Sequence, residues 1–313
     1  MFVVVGEALV DLVGERGGRT LAVYPGGSPA NVALGLARLG NLVTLKTSLG
    51  RDAFGAMIRA HLEASGVRVD AGPDEAQVST SMAIASLAAG IASYDFRIDW
   101  DVRALAPLPI DARCMHTGSL ATVLAPGCAH VVDLMEREHE RGHVTVSYDP
   151  NVRPALMGAA ARARADVERL VALSDVVKVS DDDLLWLYPD RSDEDVACDW
   201  LGRGPALVVV TRGDAGVYAI SARGELRRPA IAVDLVDTVG AGDSFTSGLL
   251  DRLRRADLLG AARGDALAAI DQATLADVVA EAALIAAITC SRPGADPPTR
   301  TEVDAASTAR RPA

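Results

Sequence analysis

The segment DTVGAGDSF at 237–245 places an aspartate directly after a glycine turn and ahead of an apolar helical pattern of Phe245, Leu249, Leu250 and Leu253. A glycine-rich turn entering a helix leaves several backbone N–H groups unpaired and aimed outward, which suits a phosphate. An aspartate beside such a site would repel that phosphate if binding were its only task. The conflict disappears if Asp243 takes a proton from an attacking hydroxyl while the N–H groups around Gly240, Ala241 and Gly242 meet the charge on a transferring phosphoryl group. The same pattern also fits a plain aspartate cap after a glycine turn.

Two further segments could supply the partner of that chemistry. In GGSPANVA at 26–33, Ser28 suits an N-cap, Pro29 suits the first helical position, and Gly26 and Gly27 let backbone approach a ligand closely. Asn31, one turn into the helix, presents an amide that can donate to and accept from sugar hydroxyls. In GEALVD at 6–11, Asp11 could accept hydrogen bonds from two adjacent hydroxyls. Each segment alone is also an ordinary helix start or loop carboxylate.

The elements that must position these residues are legible as an alternation. FVVV (2–5), LVTLK (42–46), CMHT (114–117), VTVSYD (144–149), DVVKV (175–179) and ALVVVT (206–211) read as strands. Residues 28–39, 52–65, 126–141, 160–173 and 192–202 between them read as helices. Near-continuous apolar strands alternating with helices predict an α/β fold with a mostly parallel sheet covered on both faces. Residues 9–24 and 78–99 break the alternation and predict a small separate sheet. The tail from 300 to 313 reads as mobile.

Bulk properties exclude several classes. The chain has 313 residues, enough for one large domain, and half of them are hydrophobic. A net charge of −11 argues against nucleic acid. The N-terminus lacks a signal-peptide pattern, and Asp277 and Glu281 interrupt the apolar stretch 275–290, which argues against a membrane span. The four scattered cysteines point to a reduced, cytoplasmic protein. The only lysines, Lys46 and Lys178, do not follow a glycine, so there is no ordinary P-loop, and the first strand does not lead into G-x-G-x-x-G. A literal H-E-x-x-H (His139, Glu140, His143) names a zinc protease as a rival. Gly142 should end the helix there, before His143 opens a strand, and would part the two imidazoles.

GGSPANVA followed some two hundred residues later by DTVGAGDSF resembles the paired signatures of the PfkB family, the ribokinase-like carbohydrate kinases, over nearly the whole chain. The resemblance implies one three-layer α/β/α domain over 1–313, with a small β-sheet lid formed from 9–24 and 78–99 that also makes a homodimer contact. It implies an ATP-dependent sugar kinase with Asp243 as base and the N–H groups of Ala241, Gly242 and Asp243 as anion hole. Asp11, Gly26, Gly27 and Asn31 match sugar-binding positions, and Thr211, Gly213, Lys178 and Ser180 match nucleotide positions. The family's N-x-x-E segment is altered to KVSDDD at 178–183, with Asp183 left to meet Mg²⁺ through water. The side chain of Asp237 and the carbonyls of Val239, Arg292 and Gly294 match a monovalent cation (K⁺) site. YDPNVRPAL (148–156) and CSRPGADPP (290–298) resemble the fructokinase and 2-keto-3-deoxygluconate kinase branch. There Arg153 could organise phosphate, Arg97 could close over the sugar from the lid, and HTGSLA (116–121) could form a pocket wall. Fructose, phosphorylated at O6 or O1, is the expected substrate, with the keto-deoxy acid or another PfkB substrate as the alternative. A non-catalytic sugar-binding relative is the alternative from another class.

Overall fold

The computed structural model describes the chain except for residue 16, residues 73–77, 89–90, 103–104, 262 and 311–313, and the side chains of 86–94. Strands β1 (Phe2–Val5), β4 (Val43–Lys46), β5 (Val67–Asp70), β8 (Cys114–Gly118), β9 (Thr145–Asp149), β10 (Val176–Ser180), β11 (Leu207–Thr211), β12 (Val217–Ser221) and β13 (Gly224–Arg228) form one sheet. Their order is β13-β12-β11-β10-β9-β8-β1-β4-β5. All pairs are parallel except the two at the β12–β13 edge, a hairpin that the alternation of strands and helices does not announce.

The strands alternate side chains between two helical layers, as a pleated sheet buried on both faces requires. Val4 joins the core beneath α1 (Ser28–Arg38), α2 (Ala53–Ala64), α8 (Ala241–Arg255) and α10 (Gln272–Cys290). Val3 and Val5 join the opposite core beneath α3 (Gly127–Arg141), α5 (Ala160–Ala172), α6 (Asp181–Leu187) and α7 (Asp193–Leu201). The short α4 (Pro154–Met157) and α9 (Gly264–Ala268) lie between them in sequence. By length and composition α10 could cross a membrane, but half of its apolar stretch is buried inside the fold, where it packs against α8.

A second sheet of four strands has the order β3-β2-β6-β7, from β2 (Leu9–Glu15), β3 (Ala22–Gly26), β6 (Ser81–Ala88) and β7 (Ile91–Arg97). It is built from the two stretches that break the helix–strand alternation. Chain direction explains the site's place. From β1 the sheet grows one way through β4 and β5, and the other way through β8 to β11. Ligands bind at the carboxyl ends of strands where the order reverses in this manner.

The tail is ordered further than its composition suggests. Residues Arg300–Ala309 form α11, opened by a capping box between Thr299 and Glu302. Val303 is buried against Leu39, Leu284 and Ile285. This small apolar contact, the cap and the ion pairs of Arg300 and Glu302 dock a segment that reads as polar.

Candidate active site

The start of α8 holds the glycine turn and the aspartate that the sequence singles out. Gly240 is the N-cap, with φ of 74°, and Ala295 packs where a side chain would project, so glycine is required there. The N–H of Ala241 closes a turn onto the Thr238 carbonyl at 3.2 Å. This N–H is therefore engaged within the turn. Among the described residues the N–H groups of Gly242 and Asp243 have no protein partner, as the first turn of a helix requires. Lys178 lies against Gly242, its Nζ 2.9 Å from the place a β-carbon would take. Two N–H groups and one ammonium thus converge on the same space.

Asp243 is buried and held from α1. Ser28 Oγ donates to its Oδ1 at 2.6 Å, and Asn31 Nδ2 donates to its Oδ2 at 2.8 Å. Gly27, not Ser28, is the N-cap of α1, which frees the serine hydroxyl for the aspartate. Asn31 likewise gives one amide hydrogen to Asp243 and keeps its second amide hydrogen and its carbonyl oxygen for a ligand. Burial pushes the Asp243 carboxyl up, Ser28 and Asn31 partly offset this, and nearby Asp149 adds to the rise against Lys178. A carboxylate with raised proton affinity and two fixed donors is prepared to accept a third hydrogen bond, from a substrate hydroxyl.

Lys178 is buried and paired with Asp149 at 3.0 Å. Burial would lower its pKa, but the carboxylates of Asp149 and Asp183 outweigh that and hold it above the usual value. Asp149 and Ser28 went unnamed as site residues in the sequence. Asp149 ends a strand in YDPN, and only the parallel pairing of β9 with β10 brings it to Lys178.

Asp183 is held in place by backbone donors. Its Oδ1 accepts from the Val152 N–H at 3.0 Å, and its Oδ2 reaches the Ser180 N–H at 3.4 Å within a capping box. At N3 of its helix the side chain folds back on the helix start, as a capping box requires. Burial raises its pKa to about 6.

On the sugar side, Asp11 lies on β2 against Gly26, where a β-carbon would collide with the carboxylate. Gly27 has φ of 101° and sits on the Glu7 carbonyl. Burial raises Asp11 to about 6, with Arg153 lowering and Asp243 raising it. Arg153 donates to the carbonyls of Asn151 and Val152, so it acts on Asp11 through its field. Arg97 is two-thirds exposed and paired with Asp95 at 3.0 Å.

The remaining assigned positions lie at strand and helix ends. Thr211 ends β11, its hydroxyl 3.4 Å from the Val179 carbonyl, and Gly213 opens a single 3₁₀ turn with φ of 51°. Asp237 accepts from the Val239 N–H at 3.0 Å and the Gly294 N–H at 2.8 Å, tying the loop before α8 to the loop after α10. Arg292 pairs with Glu302 at 2.5 Å. The H-E-x-x-H segment is divided as its glycine requires. Gly142 caps α3 in the left-handed conformation, and His143 lies 3.1 Å from Glu138 rather than beside His139.

The model of the pfkB family carbohydrate kinases matches residues 1–302. The chain belongs to that family. Kinases of this family transfer phosphate from ATP to a sugar, and the fructokinase-like branch is the one this chain resembles. It is 34% identical to fructokinase-1 of Oryza sativa subsp. japonica over 96% of the chain and 94% of the relative. The fold superposes on the fructokinase of Xylella fastidiosa solved with bound ATP, with a TM-score of 0.85, 25% identity and coverage of 99% and 98%. A fructokinase double mutant of Vibrio cholerae, solved with fructose, ADP and potassium, gives a TM-score of 0.77 at 28% identity, with 97% of each chain covered.

Proposed function

We propose that this pfkB kinase phosphorylates fructose at a primary hydroxyl, with Asp243 as the general base. The observation that carries the reading is the carboxylate of Asp243, buried, fixed by Ser28 and Asn31, and adjoining the free N–H groups of α8 and the ammonium of Lys178. Asp11 and the carbonyl oxygen of Asn31 orient the sugar. Its primary hydroxyl donates to Asp243, which takes the proton as the oxygen attacks the γ-phosphorus and the bond to ADP breaks. The N–H groups of Gly242 and Asp243 and the Lys178 ammonium receive charge on the phosphoryl oxygens, and the lid keeps water from competing. Thr211, Gly213 and Ser180 border the nucleotide. The keto-deoxy acid would need a cation for its carboxylate, and Arg97 is already paired with Asp95.

The donor set suits Mg²⁺ carried on ATP rather than held by the protein alone. Both oxygens of Asp183 already accept backbone N–H groups, leaving lone pairs fit for a bridging water. Such an ion would neutralise charge on the phosphates. Asp237 draws together the loops whose carbonyls at Val239, Arg292 and Gly294 suit a monovalent cation, which would steady the turn before α8. Leu21, Val23 and Tyr24, exposed at the β3 edge, support a homodimer through the lid, and four unpaired cysteines support a cytoplasmic setting.

The test is an ATP-consumption assay over fructose, ribose, tagatose and 2-keto-3-deoxygluconate, with and without K⁺, on wild type and Asp243→Asn. Fructose should give the highest kcat/KM, and the variant should lose kcat by on the order of a hundredfold or more with KM little changed. A near-normal kcat in Asp243→Asn, or no turnover of fructose by wild type, overturns the assignment.

A further inference from the structure

Glu7 is a buried carboxyl that the phosphoryl-transfer chemistry does not use. It lies in the three-residue link between Val5, the last residue of β1 in the large sheet, and Leu9, the first of β2 in the lid. Its side chain is 2% exposed. Its Oε2 accepts the N–H of Ala121 at 3.1 Å, and the Ser119 hydroxyl also bonds to it. Both partners belong to the turn at 119–122 that follows β8.

We propose that Glu7 is a positioning residue of the sugar site, a buried carboxyl that fastens the hinge of the lid to the turn after β8 and thereby sets Asp11 against the sugar. The inference rests on the kinase reading above and adds a residue to it.

Three observations carry the argument. First, the turn is one that needs holding. Ser119 has φ of 53°, a left-handed conformation that costs a non-glycine residue energy unless its surroundings enforce it. Second, the turn's apex reaches the lid. Leu120 is buried with Leu9 of β2 and Ala83 of β6, and Phe96, Ile98, Leu124 and Leu156 pack around them. Third, the backbone of Glu7 supports the sugar-binding glycines, since its carbonyl lies directly against Gly27. A displacement at Glu7 therefore moves the start of β2, and with it Asp11, relative to the turn at Gly26 and Gly27. Burial of a carboxyl is unfavourable unless its oxygens find donors, so the Ala121 N–H and Ser119 hydroxyl fix the side chain's place.

The device also carries a pH signature. Burial raises Glu7 to about 7, against the Ser119 and Ala121 bonds and the Arg153 field, which lower it. The groups that face it are Ser119 and Ala121 from the turn after β8, Gly27 from the start of α1, and Arg153 from the segment before α4. Asp11 follows on β2 itself. With the folded value above the ordinary one, the neutral acid is the form that burial favours. Ionisation above about pH 7 puts a charge in this buried place that the Ser119 and Ala121 bonds only partly offset, and the cost of that burial is what loosens the hinge. Asp11 and Asp243 act in the opposite sense, because they must lose their protons to work.

The experiment measures sugar KM, ATP KM and kcat from pH 5.5 to 9 for wild type, Glu7→Gln and Glu7→Ala, with fructose as the probe. In wild type the sugar KM should rise as pH passes about 7, with ATP KM and kcat little affected. Glu7→Gln retains an acceptor for the Ala121 N–H but cannot ionise, so the rise should vanish while the sugar KM at low pH stays near wild type. Glu7→Ala orphans both donors and should raise the sugar KM at every pH, by on the order of tenfold. The proposal is overturned if Glu7→Gln keeps the wild-type pH dependence, or if its loss falls equally on sugar and ATP KM. Should Glu7→Ala fail to fold, the glutamine variant still decides. A wild type inactive on fructose would refute the substrate assignment instead, and the same KM comparison with whichever sugar of the panel it does phosphorylate would still read the hinge.

Discussion

Asp243 takes its basicity from two opposed influences. Burial raises its proton affinity, while the donors Ser28 and Asn31 favour the ionised form and lower it. Removing a donor should leave the base harder to ionise. Ser28→Ala is thus expected to move the acid limb of kcat to higher pH, since activity is lost wherever Asp243 is protonated. At neutral pH its kcat should fall by about two- to tenfold, the net worth of one hydrogen bond, far less than in Asp243→Asn. Ser28→Thr retains the hydroxyl and should restore both readouts. An unchanged pH profile in Ser28→Ala would show that the serine does not bear on the base. The same contacts correct the simpler roles that residue type suggests. Serine before proline looks like a helix cap, and asparagine one turn on looks like a sugar ligand, yet both side chains converge on a carboxylate 212–215 residues away.

At the scale of elements, the catalytic helix is anchored at its far end as firmly as at its start. Asp251 on α8 is completely buried and accepts from Asn41 at 2.9 Å, from Arg255 at 2.9 Å, and from Arg300 of α11. Arg300 also pairs with Glu281 of α10 at 2.7 Å. The network joins α8, α10, α11 and the loop before β4. A buried charge deprived of one partner keeps its desolvation cost. Arg300→Ala should therefore destabilise by about 1–3 kcal/mol and lower Tm by a few degrees in a thermal melt. Sugar and ATP KM measured well below Tm should not change, because the network lies two turns beyond Asp243. An unaltered Tm would mean that α11 contributes nothing to holding α8.

For the whole molecule, stability and activity should respond to pH in opposite directions. Glu7 is raised to about 7, and Asp11 and Asp183 to about 6, each chiefly by burial. A carboxyl whose folded pKa exceeds its unfolded one favours the fold while protonated, and that contribution is lost as pH rises through the folded value. Tm should accordingly fall between about pH 5 and pH 8 as these three groups ionise. Glu194 and Glu302, lowered to about 2 chiefly by hydrogen bonds from Arg227 and from the Thr299 N–H, work the other way and protect only above their unfolded values. Their effect bounds the stable range on the acid side, and solvent exposure keeps it small. Activity needs Asp11 ionised and should rise as pH passes about 6, with the raised Asp243 moving the acid limit upward as well. Differential scanning fluorimetry across pH 4–9 tests this, and a Tm that climbs from pH 5 to 8 would contradict it.

Much of this was legible in the chain itself. The near-continuous apolar strands and the intervening helices determine a parallel sheet covered on both faces. The glycine turns at 26–27 and 240–242 mark where backbone can come close to a ligand, and it is the family resemblance of the two signatures that singles out Asp243. Local physics suffices there, because propensity, turn chemistry and burial pattern each involve only neighbours in sequence. Tertiary structure alone decided what the polar side chains do. It turned Ser28 and Asn31 toward Asp243, folded Asp183 back onto Ser180 and Val152, engaged the Ala241 N–H in a turn, and paired Lys178 with Asp149 across adjacent strands. It also docked the polar tail as α11 and buried Glu7 at the hinge. A side chain's partner depends on which distant segment packs against it, and hydrogen bonds of about 3 Å are settled only when the layers close. The chain thus specifies where the chemistry occurs, and the packing of its layers specifies how each charge is held.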